Sequence, residues 1–242
     1  MGGATDAVRP PARDPGGDTV KLLLTSGGVT NPSIHAALER MLGKPVAEAR
    51  ALCVPTAQWG HPYCGPASVR GLVAADPDFR HFTGLGWASL GVLELTALPT
   101  IGADRWVPWV RDADVLLVDG GDATYLAHWV RESGLLDLLP TLPDLVWVGV
   151  SAGSMVLTPR IGEMFVEWAG APDDSALGLV DFAIFPHLNA FASNTPEAAE
   201  RWAAGIGGIG GPAYAIDEQT AIAVADGAVE VVSEGEWTRF DG

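Results

Sequence analysis

The sequence predicts a single α/β domain, in which helices flank a mostly parallel central sheet and a β-hairpin lies near the C-terminus. Short apolar runs alternate with amphipathic stretches along the 242 residues, a pattern typical of parallel strands joined by helices. Hydrophobic residues make up 48% of the chain and charged residues only 18%, which suits a sheet covered on both faces. Asp226-Gly227, between apolar runs at 221–224 and 229–232, predicts the hairpin turn.

The remaining elements follow in chain order. Apolar runs predict strands at 20–24, 51–54, 92–97, 115–118, 145–150, 183–185 and 213–216. Amphipathic stretches predict helices at 31–42, 69–75, 106–111, 124–136 and 195–204, and a further helix beginning near 155–157. Asn31 or Ser33 would cap the first helix and Thr195 the last, because short polar side chains accept hydrogen bonds from the first free N–H groups of a helix.

Composition limits the partners and the compartment. The formal net charge is −16, which disfavours nucleic acid and anionic membrane surfaces as partners. Two cysteines, Cys53 and Cys64, form neither a disulfide framework nor a zinc site, so we expect a cytoplasmic protein without a metal. Residues 1–18 contain no apolar run, so we expect a flexible tail there rather than a signal peptide, followed by one catalytic domain over 19–242.

The segment Gly149-Val150-Ser151-Ala152-Gly153 carries the strongest functional signal. It places a serine between two glycines, directly after an apolar strand and before a predicted helix. This is the layout of a nucleophile elbow, in which a tight turn lifts the serine hydroxyl out of the sheet. Gly-rich turns are also common in α/β proteins, so a plain turn is the competing interpretation. We take Ser151 as the candidate nucleophile of a serine hydrolase.

A serine nucleophile needs a base and a group that orients the base. Of the five histidines, only His187 follows Ser151 in the chain, and it lies just beyond the predicted strand 183–185; a structural histidine is the alternative. Spacing alone does not rank Glu163, Glu167 and Glu218 as the orienting carboxylate.

An oxyanion hole needs two N–H donors. Ala152 follows the serine and would supply one of them. The turn Asp119-Gly120-Gly121-Asp122 precedes a predicted helix and could supply the other, although an ordinary β–α turn has the same composition. A phosphate-binding loop is disfavoured because no Gly-Lys-Ser/Thr follows the turn.

Five segments, taken in order, resemble the aspartyl dipeptidase (peptidase E) and cyanophycinase family of serine peptidases. They are Thr25-Ser26-Gly27-Gly28, Val118 to Thr124, Gly149 to Gly153, Phe185 to Asn189, and Ile216 to Gln219. The resemblance implies a flavodoxin-like fold, related to class I glutamine amidotransferases, and no cofactor. It implies a catalytic triad of Ser151, His187 and Glu218, which ranks Glu218 above Glu163 and Glu167. It also implies that the N–H groups of Gly121 and Ala152 form the oxyanion hole.

Two departures from the family bear on specificity. The aspartate-specific members of the family that this chain resembles carry an arginine where this chain has Pro196. Arg201 lies about one helical turn further on. The resemblance therefore does not predict selectivity for an N-terminal aspartate. Where the family turn often reads Gly-Gly-Gly-Asn, this chain has Asp119 and Asp122 at the ends of the turn. Acidic residues at the cleft would favour a basic or free-amine group in the substrate.

The sequence thus predicts a cytoplasmic serine exopeptidase that acts on dipeptides or short peptides through an acyl-enzyme. An esterase of the α/β-hydrolase type is disfavoured, because the chain lacks an HGGG-type loop and a histidine close to the C-terminus. An amidotransferase would need cysteine at position 151. A non-catalytic binding module on the same fold is the remaining alternative.

Overall fold

The computed structural model describes residues 20–206 and 209–241. The tail predicted over 1–18 lies outside these residues. The strands are β1 (Lys21–Thr25), β2 (Arg50–Val54), β3 (Ser89–Val92), β4 (Val115–Val118), β5 (Val146–Val150), β6 (Ala183–Phe185), β7 (Ala213–Ile216), β8 (Thr220–Ala225), β9 (Ala228–Ser233) and β10 (Trp237–Phe240). The α-helices are α1 (Pro32–Leu42), α2 (Ala57–Gly60), α3 (Pro66–Val73), α4 (Leu98–Ile101), α5 (Ala103–Arg111), α6 (Ala123–Glu132), α7 (Leu135–Leu138), α8 (Ala152–Met155) and α9 (Pro196–Gly205).

The central sheet has seven strands in the order β3-β2-β4-β5-β1-β8-β9. The five strands from β3 to β1 run parallel, and β8 and β9 are antiparallel at the other edge. The strands β8 and β9 form the predicted C-terminal hairpin around Asp226-Gly227. The single α/β domain with a mostly parallel sheet is therefore confirmed.

The core lies on both faces of this sheet, because alternate side chains of a strand point to opposite sides. In β1, Leu22 and Leu24 belong to one buried cluster and Leu23 to the other. The central strand β4 is buried along its whole length, which explains why its sequence is a continuous apolar run. None of the helices within the described ranges is both long and apolar enough to cross a membrane.

A second sheet was not predicted. It has three strands in the order β10-β7-β6, so the strand that precedes His187 does not belong to the central sheet. One face of this small sheet, including Ile184 and Ile216, contributes to the main core. The other face packs with Trp202 of α9 in a separate cluster.

Several predicted elements have other bounds than expected, and three of them differ in kind or extent. The strand expected at 92–97 is β3, and residues Leu95–Ala97 form a 3₁₀ turn. The Glu94 side chain, which accepts from Thr96 N, promotes that turn. The helix expected at 124–136 is divided, because Gly134 adopts a left-handed conformation (φ +79°) between α6 and α7. The helix expected to begin near 155–157 is α8, which begins at Ala152 and ends at Met155.

The predicted helix caps are largely confirmed. The Asn31 side chain accepts from Ile34 N at 2.9 Å, so Asn31 rather than Ser33 caps α1. The Thr195 hydroxyl accepts from Ala198 N at the start of α9. These caps fix where α1 and α9 begin.

Candidate active site

Ser151 lies at a strained turn between β5 and α8. Its backbone has φ +51° and ψ −112°, a conformation that costs a non-glycine residue about 1–3 kcal/mol and is found mostly at functional sites. Backbone hydrogen bonds hold it there: Ser151 N donates to Thr25 O at 3.0 Å, and Met155 N donates to Ser151 O at 2.9 Å. The hydroxyl therefore projects from the carboxyl end of β5.

The glycines on each side of Ser151 are required by space. A Cβ atom on Gly149 would collide with the carbonyl oxygen of Gly153, and a Cβ atom on Gly153 would collide with that of Val118. The elbow thus packs backbone against backbone. This is the geometry that the G-x-S-x-G spacing predicted.

His187 lies between Ser151 and Glu218. Its Nε2 is 2.8 Å from Ser151 Oγ, and its Nδ1 is 2.7 Å from Glu218 Oε1. The second Glu218 oxygen is buried without a hydrogen-bond partner among the described residues and lies against Gly27, where a Cβ atom would collide with it. The structure brings Ser151, His187 and Glu218 together, and it brings neither Glu163 nor Glu167 into hydrogen-bond contact with His187.

The segments that carry His187 and Glu218 are held by the loop after β1. Ser26, which is fully buried, accepts from His187 N at 3.0 Å and donates to Ile216 O at 2.9 Å. The Thr30 hydroxyl donates to Glu218 O at 2.6 Å. Ser26 therefore connects the residue after β6 to the end of β7. No local sequence pattern indicates this role, because the two partners of Ser26 lie 161 and 190 residues away in the chain.

The turn between β4 and α6 also contacts Ser151. A Cβ atom on Gly120 would lie 3.9 Å from Ser151 Oγ. Gly121 has φ +136°, and a Cβ atom there would collide with the carbonyl oxygen of Ala57. The N–H groups of Gly121 and Ala152 donate to no other described residue. Both residues line the cavity that contains Ser151.

The two aspartates of this turn do not line that cavity, contrary to the expectation that they would place acidic groups at the cleft. Asp122 is fully buried and caps α6 by accepting from Tyr125 N at 2.7 Å. Its other carboxylate oxygen accepts from the backbone N–H groups of Glu167 and Trp168 at 2.7 and 2.8 Å. Asp122 is therefore a structural residue.

Asp119 is buried below the turn. Burial raises its pKa to about 6, although hydrogen bonds from the Gln58 amide and the Gly120 N–H oppose the shift. A carboxyl group with this pKa changes charge near neutral pH, which affects folding stability. It does not contact the candidate catalytic side chains.

The candidate site opens into a cavity of about 440 Å³ whose lining includes Ser151, His187, Gly121, Ala152 and Glu167. A neighbouring cavity of about 460 Å³, lined by Glu163, Arg160 and Arg201, shares Met164 and Ser193 with it. A larger cavity, of about 690 Å³, lies between α9 and β10 and contains none of the candidate residues. Within 20–206 and 209–241, no three or more His, Cys, Asp or Glu side chains are grouped so that they could hold a metal ion.

Comparisons with known proteins agree with the resemblance seen in the sequence. The sequence model of peptidase family S51 matches residues 22–232. A crystal structure of a candidate peptidase E protein from Listeria monocytogenes EGD-e is similar with a TM-score of 0.63 and 20% identity, covering 90% of this chain and 100% of that one. The crystal structure of a peptidase from an acI-B1 Actinobacterium has a TM-score of 0.55 and 19% identity, covering 93% of this chain and 98% of that one. No curated protein gives a significant match.

Proposed function

The chain belongs to peptidase family S51 and is a serine-type peptidase, and we propose that it is a peptidase E-like exopeptidase acting on dipeptides or short peptides through an acyl-enzyme. The observation that carries the proposal is the hydrogen-bonded series from Ser151 through His187 to Glu218. The cavity of about 440 Å³ beside Ser151 is in the size range of small-ligand sites, which favours a short substrate over a long chain.

In the proposed reaction, Ser151 is the nucleophile and His187 the base. Ser151 Oγ attacks the carbon of the scissile carbonyl while its proton passes to His187 Nε2. When the C–N bond breaks, that proton passes to the leaving amine, and the substrate's acyl group remains on Ser151. Water then attacks the ester with the same assistance from His187, which releases the acid and restores the hydroxyl.

Glu218 stabilises the charge that develops on His187. Its carboxylate accepts from Nδ1, so it selects the tautomer whose Nε2 is free to accept the serine proton. Its negative charge also favours the imidazolium in the transition state.

The proposed oxyanion hole consists of the N–H groups of Gly121 and Ala152. Neither N–H donates to another described residue, so both can donate to the tetrahedral oxygen without first breaking a bond. Removing one such donor typically lowers kcat by about 10²–10³-fold. The left-handed backbone at Gly121 explains why glycine occupies this position.

The expected compartment and domain extent are part of the same proposal. Cys53 and Cys64 are both free thiols, as is usual in a reducing cytoplasm. We propose that the catalytic domain extends over 19–242, which includes the whole region matched by the family.

Hydrolysis of a panel of dipeptides and N-terminal aminoacyl reporter amides tests this function, with the first residue varied and the Ser151→Ala variant as control. We expect cleavage that releases the first residue and that the control lacks. The control should unfold at the same temperature as the wild type, because the lost hydroxyl is not needed for packing. Equal turnover by the control would refute the role of Ser151. Hydrolysis of short acyl esters but of no peptide would support the esterase alternative.

A further inference from the structure

The wall of the Ser151 cavity has an unusual charge pattern. Among the described residues that line it, none is lysine or arginine, and Glu167 is the one carboxylate. The other titratable side chains on the wall are Cys64, His61 and His187. A substrate carboxylate inside this cavity would therefore meet a carboxylate and no permanent cation, whereas a substrate ammonium group would meet an opposite charge.

The Glu167 carboxylate is unpaired, and the backbone that carries it is anchored. It makes no hydrogen bond or ion pair with any other described residue. Its backbone N–H donates to Asp122 at 2.7 Å, and the next N–H, of Trp168, donates to the same carboxylate oxygen. Because Asp122 directly follows Gly121, the segment that carries Glu167 is tied to the turn that would bind the oxyanion. An unpaired carboxylate on an anchored backbone segment therefore lines the same cavity as Ser151.

The rest of the wall is largely apolar. Met164 and Phe191 expose 51% and 58% of their surfaces, and both line the cavity together with Phe165 and Met155. The Phe165 ring packs against Phe185 at 5.4 Å, which fixes one side of the wall. Large exposed apolar side chains at the edge of a cavity are typical of a surface that a ligand covers. Methionine side chains adapt to ligands of different shape.

The arginines of the neighbouring cavity do not line this one. Arg160 and Arg201 line the neighbouring one, across Met164 and Ser193. Arg160 is already bound by Asp174, with its Nε 2.8 Å from the carboxylate. An acidic side chain at the first substrate position would have to leave the Ser151 cavity to reach Arg201.

We propose that Glu167 binds the α-ammonium group of the substrate and that Met164, Phe165 and Phe191 receive an apolar first side chain. The enzyme is then an aminopeptidase-type exopeptidase for peptides that begin with residues such as leucine or methionine, and it discriminates against an N-terminal aspartate. This inference rests on the proposed function, because it takes Ser151 as the reacting centre.

Steady-state kinetics with four matched substrates test the inference: Leu-first and Asp-first reporter amides, each with a free and an N-acetylated amine. The wild type should prefer the free Leu substrate by at least about tenfold in kcat/KM, the usual effect of one charge contact. Glu167→Gln should raise KM for this substrate about tenfold while kcat stays within about twofold, since the carboxylate binds ground state and transition state alike. It should not change the kinetics of the acetylated substrate.

Glu163→Gln is the matched control, because Glu163 lies four residues earlier and lines the other cavity. It should leave all four substrates unaffected. Preference for the Asp-first substrate, lost in Arg201→Gln, would overturn the inference while the proposed serine mechanism stands. Unchanged KM in Glu167→Gln would also overturn it. Turnover that survives Ser151→Ala would instead overturn the proposed function itself, so the two failures are distinguishable.

Discussion

The elbow that carries Ser151 and the segment that carries His187 are held in place by different kinds of contact. Ser151 follows β5, which lies between β4 and β1 inside the seven-stranded sheet, and its turn is fixed by backbone atoms that leave no room for a Cβ atom on Gly149 or Gly153. His187 follows β6 of the small sheet, and its backbone N–H donates to Ser26, which lies 161 residues away in the chain.

Because the contacts differ, substitutions in the two regions should have different effects. The elbow depends on steric exclusion, which is local in sequence and intolerant of a single added carbon. The His187 segment depends on polar contacts between residues far apart in sequence, each with a net value of about 1 kcal/mol. Substitutions that add a Cβ atom in the elbow should therefore affect folding and activity together, whereas those that remove a polar contact around His187 should lower activity at a smaller cost in stability.

Among the substitutions around His187, Glu218→Gln should have the largest effect on kcat. Glutamine keeps the shape but removes the negative charge that stabilises the His187 imidazolium. We expect kcat to fall by roughly 10²–10⁴-fold with little change in the unfolding temperature. Glu163→Gln, which removes a carboxylate that does not contact His187, should keep wild-type kcat. If the two variants exchanged these outcomes, the orienting carboxylate would have to be reassigned.

Gly153→Ala tests the steric side. The added Cβ atom would collide with the carbonyl oxygen of Val118, so the elbow would have to separate from β4. We expect the free energy of unfolding to fall by about 3 kcal/mol and activity to be lost with it. Gly205→Ala is the control, because a Cβ atom there meets nothing within 4 Å. A Gly153→Ala variant as stable as this control would show that the elbow is not sterically fixed.

Asp119, in the turn after β4, should make the folding stability of the protein depend on pH. Burial raises its pKa from 3.8 to about 6, so the folded state holds the proton more tightly than the unfolded state. The stabilising effect of that proton is complete at low pH and is lost as pH rises from about 4 to about 6, a loss of roughly 3 kcal/mol. Asp119→Asn, which resembles the protonated side chain, should match the wild type at pH 4 and exceed its unfolding free energy by about this amount at pH 8.

Urea unfolding at a series of pH values measures this difference. Asp144→Asn is the control, because Asp144 is exposed and its substitution should change stability by less than about 0.5 kcal/mol at every pH. A constant difference between Asp119→Asn and the wild type from pH 4 to pH 8 would contradict the assigned pKa.

Ser26→Ala should lower kcat less than Glu218→Gln does. The variant leaves His187 N and Ile216 O without their buried partner, which costs about 1–3 kcal/mol of stability. A small displacement of His187 should lower kcat by about 10–100-fold with KM nearly unchanged. Ser89→Ala, at an exposed position, should match the wild type in both. Wild-type kcat in Ser26→Ala would mean that other contacts suffice to position His187.

The same difference explains which parts of the site could be predicted from the sequence. The elbow was predictable because its determinants, two glycines and an apolar strand, are neighbours of Ser151. The pairing of His187 with Glu218 was not, since spacing left Glu163 and Glu167 as alternatives and only the family resemblance ranked them. The bridging role of Ser26 spans 161 residues to His187, and no local pattern reveals it. Periodicity likewise could not show that β6 and β7 lie outside the central sheet, because a short buried strand has the same apolar pattern in either sheet.

Labelling of the folded protein with a fluorophosphonate, followed by mass spectrometry to locate the adduct, tests the central claim most directly. A serine activated by His187 and Glu218 should react at Ser151 alone, and His187→Ala should slow the reaction at least about 100-fold because the base is gone. Absence of an adduct on the folded wild type, or an adduct on another serine, would contradict the assignment of Ser151 as the nucleophile.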